Sequence, residues 1–420
     1  MTDADIIVIG GGAAGLIAAG AAAREGKDVL LLEKMPETGR KLLLTGKGRC
    51  NVTNIAPKQT FIEHFGTNGR FLQRPFAAFF SEELLALLKE QGVDVVTERG
   101  GRVFPASGDA RSIADALLAY ALKANVRILT RARVMAIHGD SGTISGVSLQ
   151  RGEEAHVETV QAASVILAAG GASYPGTGSD GDAYRLAKAL GHSIVPIRPA
   201  LVPLTTLGST ARELQGLSLR NVRVSLLVNR QPVADAFGEM LFTHFGVSGP
   251  IVLSLSKLAV DALHEKRDVI VRIDLKPALD HRKLDARLLR DLDAHGKQHL
   301  HTLLKGLLPR KLIPVCLAQN GLDPAKPAHQ VTAAERGALV DWLKAFQLPV
   351  TGHRSFKQAI ITAGGVDLKE VDPGSMQSRL VSGLYFAGEV LDLDADTGGY
   401  NLQAAFTTGW VAGKAAAEPN

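Results

Sequence analysis

The 420-residue sequence predicts an α/β fold. It consists of a parallel dinucleotide-binding sheet built from both chain ends, an inserted β-barrel-like domain and a small helical insert. Three observations carry that expectation. The chain opens on a strand, a glycine-rich turn, a helix and a second strand that ends on an acid. Two later buried strands end in glycine, Val165 to Ala169 before Gly170-Gly171 and Leu384 to Ala387 before Gly388-Glu389. Between them the texture changes to prolines and short β-type runs, then to charged helices. The boundaries so read are 1–193 and 356–420 for the sheet domain, 194–276 and 335–355 for the barrel-like domain, and 277–334 for the helical insert.

Ile6 to Ile9 is an unbroken β-branched run, as a parallel strand buried on both faces requires. The glycines after it are spaced G-x-G-x-x-G: Gly10 for a tight turn, Gly12 for approach to a pyrophosphate, Gly15 for close packing of helix on sheet. An alanine-rich helix follows to about Arg24, and its free N–H groups, beginning at Ala13 and Ala14, favour a phosphate. Gly26 ends it, and Val29 to Leu32 leads to Glu33, 18 residues past Gly15. A carboxylate at that distance suits ribose hydroxyls and repels a 2′-phosphate, so NADP is disfavoured here. Ile6 to Ala23 is uncharged and long enough to approach a membrane span, but Asp3 and Asp5 precede it in place of a basic segment and the glycines break it.

Composition limits the remaining classes. Hydrophobic content of 46% with 21% charge is ordinary for a soluble globular protein. Cys50 and Cys316 share no paired spacing, which points to a reducing, cytoplasmic setting and excludes a disulfide-reductase mechanism. The net charge of +5 and pI near 9.1 are explained by cations around an anionic cofactor; contact with nucleic acid is the disfavoured alternative.

Thr38 to Ile62 contains Arg40, Lys41, Lys47, Arg49 and Lys58 and no acid, with one G-x-G turn at Gly46 and Gly48, then Cys50 and Asn51. Such a loop suits a phosphate or an electron-rich ring. Arg70 to Gln91 reads as one helix with a phenylalanine stripe, and Asp109 caps another to about Lys123. A β-meander follows, including Val134 to Ile137. Gly176 to Gly181 repeats the glycine spacing, but Tyr174-Pro175 intervenes and no acid closes a second strand, so it is not a nicotinamide site. In the barrel-like region His244 is the candidate proton carrier; Ser248 lacks a nucleophile elbow. His295, His299 and His301 have no carboxylate or cysteine to complete a metal site.

The glycine turn with Glu33, the strand ending Ala169-Gly170-Gly171 and the strand ending Gly388-Glu389 resemble, in this order, two-dinucleotide-binding-fold flavoproteins of the glutathione-reductase type. With Gly39–Asn54, Thr243–Pro250, Thr362–Val366 and Gly388–Gln403 the whole chain is similar to a bacterial flavoprotein family that includes aminoacetone oxidase and a flavoprotein of bile-acid dehydroxylation pathways. The resemblance implies FAD in the first fold and the domain order given above. Glu389 stands where Asp is more usual and would reach a ribityl hydroxyl; Arg379 stands where the pattern has Thr. The cofactor-lining set is then Gly10, Gly12, Ala13, Ala14, Gly15, Glu33, Lys34, Arg40, Lys41, Gly46, Gly48, Arg49, Cys50, Asn51, Val134, Ala169, Gly170, Gly171, Gly388, Glu389, Gly399, Tyr400, Asn401 and Leu402. In such flavoproteins the last helix, begun by Gly398-Gly399, points its N-terminus at the N1–C2=O edge of the flavin.

The expected activity is hydride transfer between a small organic substrate and flavin N5, with oxygen, NAD(P)H or another carrier as electron partner; amine oxidation is one form. Two alternatives remain. One is NAD(P)H-fed reduction of a conjugated C=C bond. The other is a nucleic-acid-associated, tRNA-modifying flavoprotein.

Overall fold

The computed structural model describes residues 3–152 and 157–418. The chain divides into two compact units, Met1–Pro199 with Phe356–Asn420, and Ala200–Ser355.

In the first unit the opening motif folds as β1 (Ile6–Ile9), α1 (Ala13–Ala23) and β2 (Val29–Leu32). β3 (Arg127–Leu129), β4 (Ser164–Leu167) and β5 (Leu384–Phe386) complete a five-stranded sheet of order β5-β4-β1-β2-β3, parallel throughout. Every residue of β1, β2, β4 and β5 is buried, which is why these strands read as continuous apolar runs rather than alternations. The last helix, α2 (Tyr400–Ala417), lies directly on α1. A Cβ on Gly409 or Gly413 would sit 2.3 Å from the carbonyl oxygen of Ala14 or Ala18, so only glycine permits that approach. The two chain ends therefore share one core.

Around this sheet, Ala132–Asp140, Thr143–Arg151 and Val157–Gln161 form the expected antiparallel meander. Asp109 caps Ala110–Lys123 by accepting from Arg111 N. The predicted single helix over Arg70 to Gln91 is instead two, Gln73–Ala78 and Ser81–Glu90. Phe79 and Phe80 are extended between them, and Glu83 accepts from Phe80 N at 2.9 Å to start the second. The break turns Phe61, Phe76 and Phe80 edge-on to one another, with centroids 4.8–5.7 Å apart. Burying each ring contributes about 1.5–3 kcal/mol, more than an unbroken helix would gain.

The second unit is a closed six-stranded barrel with a helical insert. Around the barrel the strands run Leu204–Thr206, Gly246–Ser248, Gln231–Phe242, Ser218–Val228, Val269–Asp274 and Phe346–His353. Helices His281–Ala294, Leu300–Leu303, Leu312–Gln319 and Ala333–Lys344 lie between the last two strands in sequence. Gln231–Phe242 was not expected as a strand, because its first nine residues bury no apolar side chain fully and show no strong alternation. Its hairpin with Ser218–Val228 supplies the pairing that periodicity lacked. Among the described residues no helix is long and apolar enough to cross a membrane.

Candidate functional site

The carboxyl ends of β1, β2, β4 and β5 carry half of the sequence-predicted cofactor residues, which is where open parallel sheets take ligands. Gly10 has φ +105° and its Cβ would lie 2.6 Å from Ala168 O. Gly15 is pressed still harder, with a would-be Cβ 1.8 Å from Gly10 O. Gly12 differs: nothing lies within 4 Å of where its Cβ would be, and no side chain caps the helix it starts. The protein thus packs both outer glycines and leaves the middle one, with the N–H groups of Ala13 and Ala14 after it, facing an open cradle. That is the shape and polarity a pyrophosphate needs. A second mark is the Ser179 hydroxyl, buried without a hydrogen-bond partner and 3.0 Å from the Cβ position of Gly170. The residues present fit a dinucleotide.

Glu33 Oε2 accepts from Gly11 N and Oε1 from Met35 N, both at 2.7 Å. Each oxygen keeps a free lone pair for a further donor. Burial raises the Glu33 pKa, against the opposing pull of those two N–H groups and of Lys34 and Arg40. Lys34 is engaged by Asp180 at 2.5 Å and Asp182 at 3.0 Å. Asp182 also takes Arg133 at 3.0 Å. The Cβ of Gly178 would fall 2.8 Å from Met35 Cγ. The second glycine loop therefore folds over the Glu33–Met35 turn, a placement that sequence reasoning missed because the signal was two acids opposite one lysine far away in the chain. Val134 is buried within the meander.

Two cations of the basic loop, Lys41 and Arg49, are paired with acids from elsewhere in the chain. Lys41 bonds to Glu389 and to Ser173 Oγ, while Glu389 Oε1 accepts from Ser173 Oγ at 2.7 Å and Thr362 N at 2.8 Å. Glu389 was expected to reach outward to a ribityl hydroxyl. Here it joins the basic loop to the segments after β4 and β5, and Gly171 has no side chain because Thr362 Oγ1 and Glu389 Oε1 would lie 2.6 and 2.8 Å from its Cβ. Arg49 pairs with Glu98 at 2.5 Å and lies 4.3 Å over the Phe104 ring. Arg40 is half-buried, makes no hydrogen bond or ion pair from its side chain among the described residues, and acts on Glu33 through its charge; Lys47 is exposed. Gly46 and Gly48 take φ of +58° and +85°. Cys50 is fully buried, which pushes its thiol up to about 11, so it stays protonated and inert.

The start of α2 is fastened by the same loop. Asn51, with its amide turned to satisfy its neighbours, accepts from Gly399 N at 3.0 Å and donates to Thr53 O and Val103 O. The Cβ of Gly399 would lie 2.4 Å from Thr53 O. The glycine there is therefore required by strand Thr53–Asn54, whereas the sequence suggested a flat ring as the reason. Asn401 clasps its own approach loop through Ala395 N and O at 2.9 and 2.8 Å. Gly388, at φ +77°, would place a Cβ 2.9 Å from that of Ala14, and Leu402 is half-buried on α2. Beside Tyr400 lies a pair that the sequence did not single out. The His64 ring stacks on Tyr400 at 3.9 Å, and His64 Nδ1 is 3.1 Å from Asp396 Oδ2. Burial, then the charge of Asp396, raises the Tyr400 pKa. His244 belongs to the second unit, on an exposed turn with its ring edge-on to Phe245 and no hydrogen bond from its side chain among the described residues.

The comparisons with known proteins agree with this architecture. The family model described as "HI0933-like protein Rossmann domain" matches residues 4–415. A 3-dehydro-bile acid delta(4,6)-reductase of Clostridium scindens is 34% identical over 98% of each chain. A ribosomal RNA dihydrouridine synthase of Escherichia coli is 32% identical over 97% of this chain and 96% of its own. The structure of 3-ketosteroid-delta4-(5alpha)-dehydrogenase from Rhodococcus jostii RHA1 superposes with TM-score 0.53, at 17% identity over 100% of this chain and 97% of that one, a likeness of fold. The chain belongs to the HI0933-like Rossmann-domain family, and it is an FAD-dependent oxidoreductase.

Proposed function

We propose that this enzyme reduces a carbon–carbon double bond conjugated to a carbonyl. Both full-length relatives support that reaction class, since their names describe a delta(4,6)-reductase of a 3-oxo compound and the making of dihydrouridine from uridine. Saturation of a C=C bond next to a carbonyl is common to the two, and amine oxidation to neither. When bound, FAD supplies hydride at N5; a two-electron donor such as a reduced nicotinamide replenishes it. Hydride so supplied would add to the β-carbon, and this chain would have to deliver a proton to the α-carbon.

The observation of this molecule that carries the proposal is the Tyr400–His64–Asp396 cluster. Tyr400, kept protonated by burial, is a proton donor at the start of α2. His64, oriented by Asp396, stacks on the Tyr400 ring and fixes its position. His244 has no such orienting carboxylate, so the proton role passes to Tyr400. Glu33 and the Gly12 cradle would hold the adenosine diphosphate half of the cofactor.

Under anaerobic conditions the reduced enzyme should be reoxidised by a 4-en-3-one steroid or by a uridine-containing RNA. Tyr400→Phe should slow that reoxidation by about 10²–10³-fold with flavin content retained. Reoxidation by oxygen alone, with neither unsaturated substrate active, would overturn the proposal.

A further inference from the structure

The formal charge of +5 is unevenly shared. Ala200–Ser355 holds 21 Lys and Arg against 14 Asp and Glu, whereas the rest of the chain holds 26 against 28. The whole basic excess thus lies in the barrel-and-insert unit. On its helical insert the side chains of Arg282, Arg290, Lys297, Lys305 and Arg310 make no hydrogen bond or ion pair among the described residues. Cations placed around the cofactor, the reading that sequence alone favoured, do not account for this excess.

Within the same unit a cavity of about 260 Å³ opens between the barrel and the insert. Arg220 and Lys276 line it, together with Ser218 and an apolar wall of Leu219, Leu307, Leu308 and Pro309. The Lys276 side chain is half-buried and makes no ion pair among the described residues, and Asp274, two residues before it, is taken by Lys344 at 2.6 Å. Arg220 has only a long contact to Glu239, 3.8 Å, with its side chain 76% exposed. Burial and the charge of Arg287 lower the Lys276 pKa. A half-buried cation with no ion-pair partner among the described residues gains a charge-assisted contact when an anion enters here.

We propose that this cavity is an anion site that takes the phosphate of a nucleotide or of a polynucleotide backbone between Lys276 and Arg220. A phosphate, with three or four acceptor oxygens, uses two cations lining one cavity better than a carboxylate does, and an arginine can grip it with paired N–H donors. The volume is below the roughly 300–1,000 Å³ of sites that engulf whole ligands, so it seats a headgroup while the attached sugar lies on Leu307 and Pro309. The free cations of the insert would extend the field to neighbouring phosphates of a chain. The site stands on binding and is independent of the reaction proposed above.

The test uses the full-length, FAD-loaded protein. Anisotropy of a fluorescein-labelled single-stranded RNA 12-mer is followed across a salt series, with UMP and inorganic phosphate as competitors. Lys276→Met should weaken RNA binding about tenfold and Arg220→Gln about threefold, each reducing the slope of log K against log salt by about one. Lys276→Arg should restore most of the affinity. Competition by UMP at millimolar concentration identifies free nucleotides as a source of the phosphate; RNA binding without such competition identifies the polynucleotide. If neither variant changes the binding of RNA, UMP or phosphate, the site is refuted. Arg220→Gln, an exposed change, decides the matter if Lys276→Met fails to fold. Reoxidation of the wild-type flavin reads the proposed reaction separately, so either inference can fail alone.

Discussion

Two stretches of this chain share the spacing G-x-G-x-x-G, Gly10–Gly15 and Gly176–Gly181, and their physics is opposite. In the first, the outer glycines are jammed against backbone and the middle one is open. In the second, Gly176 is open, Gly178 is jammed against Met35 at φ +103°, and Gly181 has φ +92° at the start of a helix. The first turn is held by packing of α1 on β1. The second is held by charge, through Lys34, Arg133 and the two acids Asp180 and Asp182. The same spacing therefore makes a cradle in one place and a cover in the other, and what separates them is which glycine the protein leaves empty.

That difference can be broken position by position. The largest effect is expected at Gly15→Val, whose side chain has no room beside Gly10 O; thermal or denaturant unfolding should show a loss of about 3 kcal/mol or more, with flavin lost as well. Gly12→Val should separate stability from binding. The apoprotein should unfold within about 1 kcal/mol of wild type, yet ultrafiltration should show FAD retention reduced tenfold or more, because the cradle is filled. Gly178→Ala should cost about 1–2 kcal/mol from its backbone conformation, with the flavin retained at saturating FAD.

The two loops should also part on acidification. Glu33 has its pKa raised by burial, so it loses its charge first as pH falls, from above the ordinary value of about 4.3. For Asp182, burial disfavours the charge, but hydrogen bonds from Arg133 and Lys34 outweigh it and hold the carboxyl below its ordinary value. Its contribution to stability is thus present above about pH 4 and is lost only as pH falls through its own lower value. FAD release measured against pH should therefore begin while the second loop is still clasped, and Glu33→Gln should flatten that release. The smallest effect belongs to Gly176→Ala, with open space and an ordinary φ: a change within about 0.5 kcal/mol.

The contrast also explains what could be read in advance. β1, β2, β4 and β5 were legible because strands buried on both faces are written as unbroken apolar runs, and the Gly10–Gly15 turn because its neighbours in sequence are its neighbours in space. The internal partners of Glu389 were not legible, for the opposite reason. Its partners Lys41, Ser173 and Thr362 come from three other segments, and nothing local signals them. Gly399 was recognised as necessary, but the atom that requires it, Thr53 O, lies far away in the chain. Strand Gln231–Phe242 had no period to betray it, and the His64–Asp396 pair beside Tyr400 exists only after folding. Long-range polar partnerships are where local pattern carries no information.

In the proposed reaction, FAD held at the Gly12 cradle would saturate a double bond beside a carbonyl. The most direct measurement is anaerobic stopped-flow at the flavin absorption band, mixing the reduced protein with a 4-en-3-one steroid or with uridine-containing RNA in deuterated buffer. The expected result is recovery of the yellow oxidised flavin, with one deuterium from solvent at the α-carbon of the product and a slower approach in Tyr400→Phe. Flavin that stays reduced with both substrates, or reoxidation without solvent deuterium in the product, would contradict it.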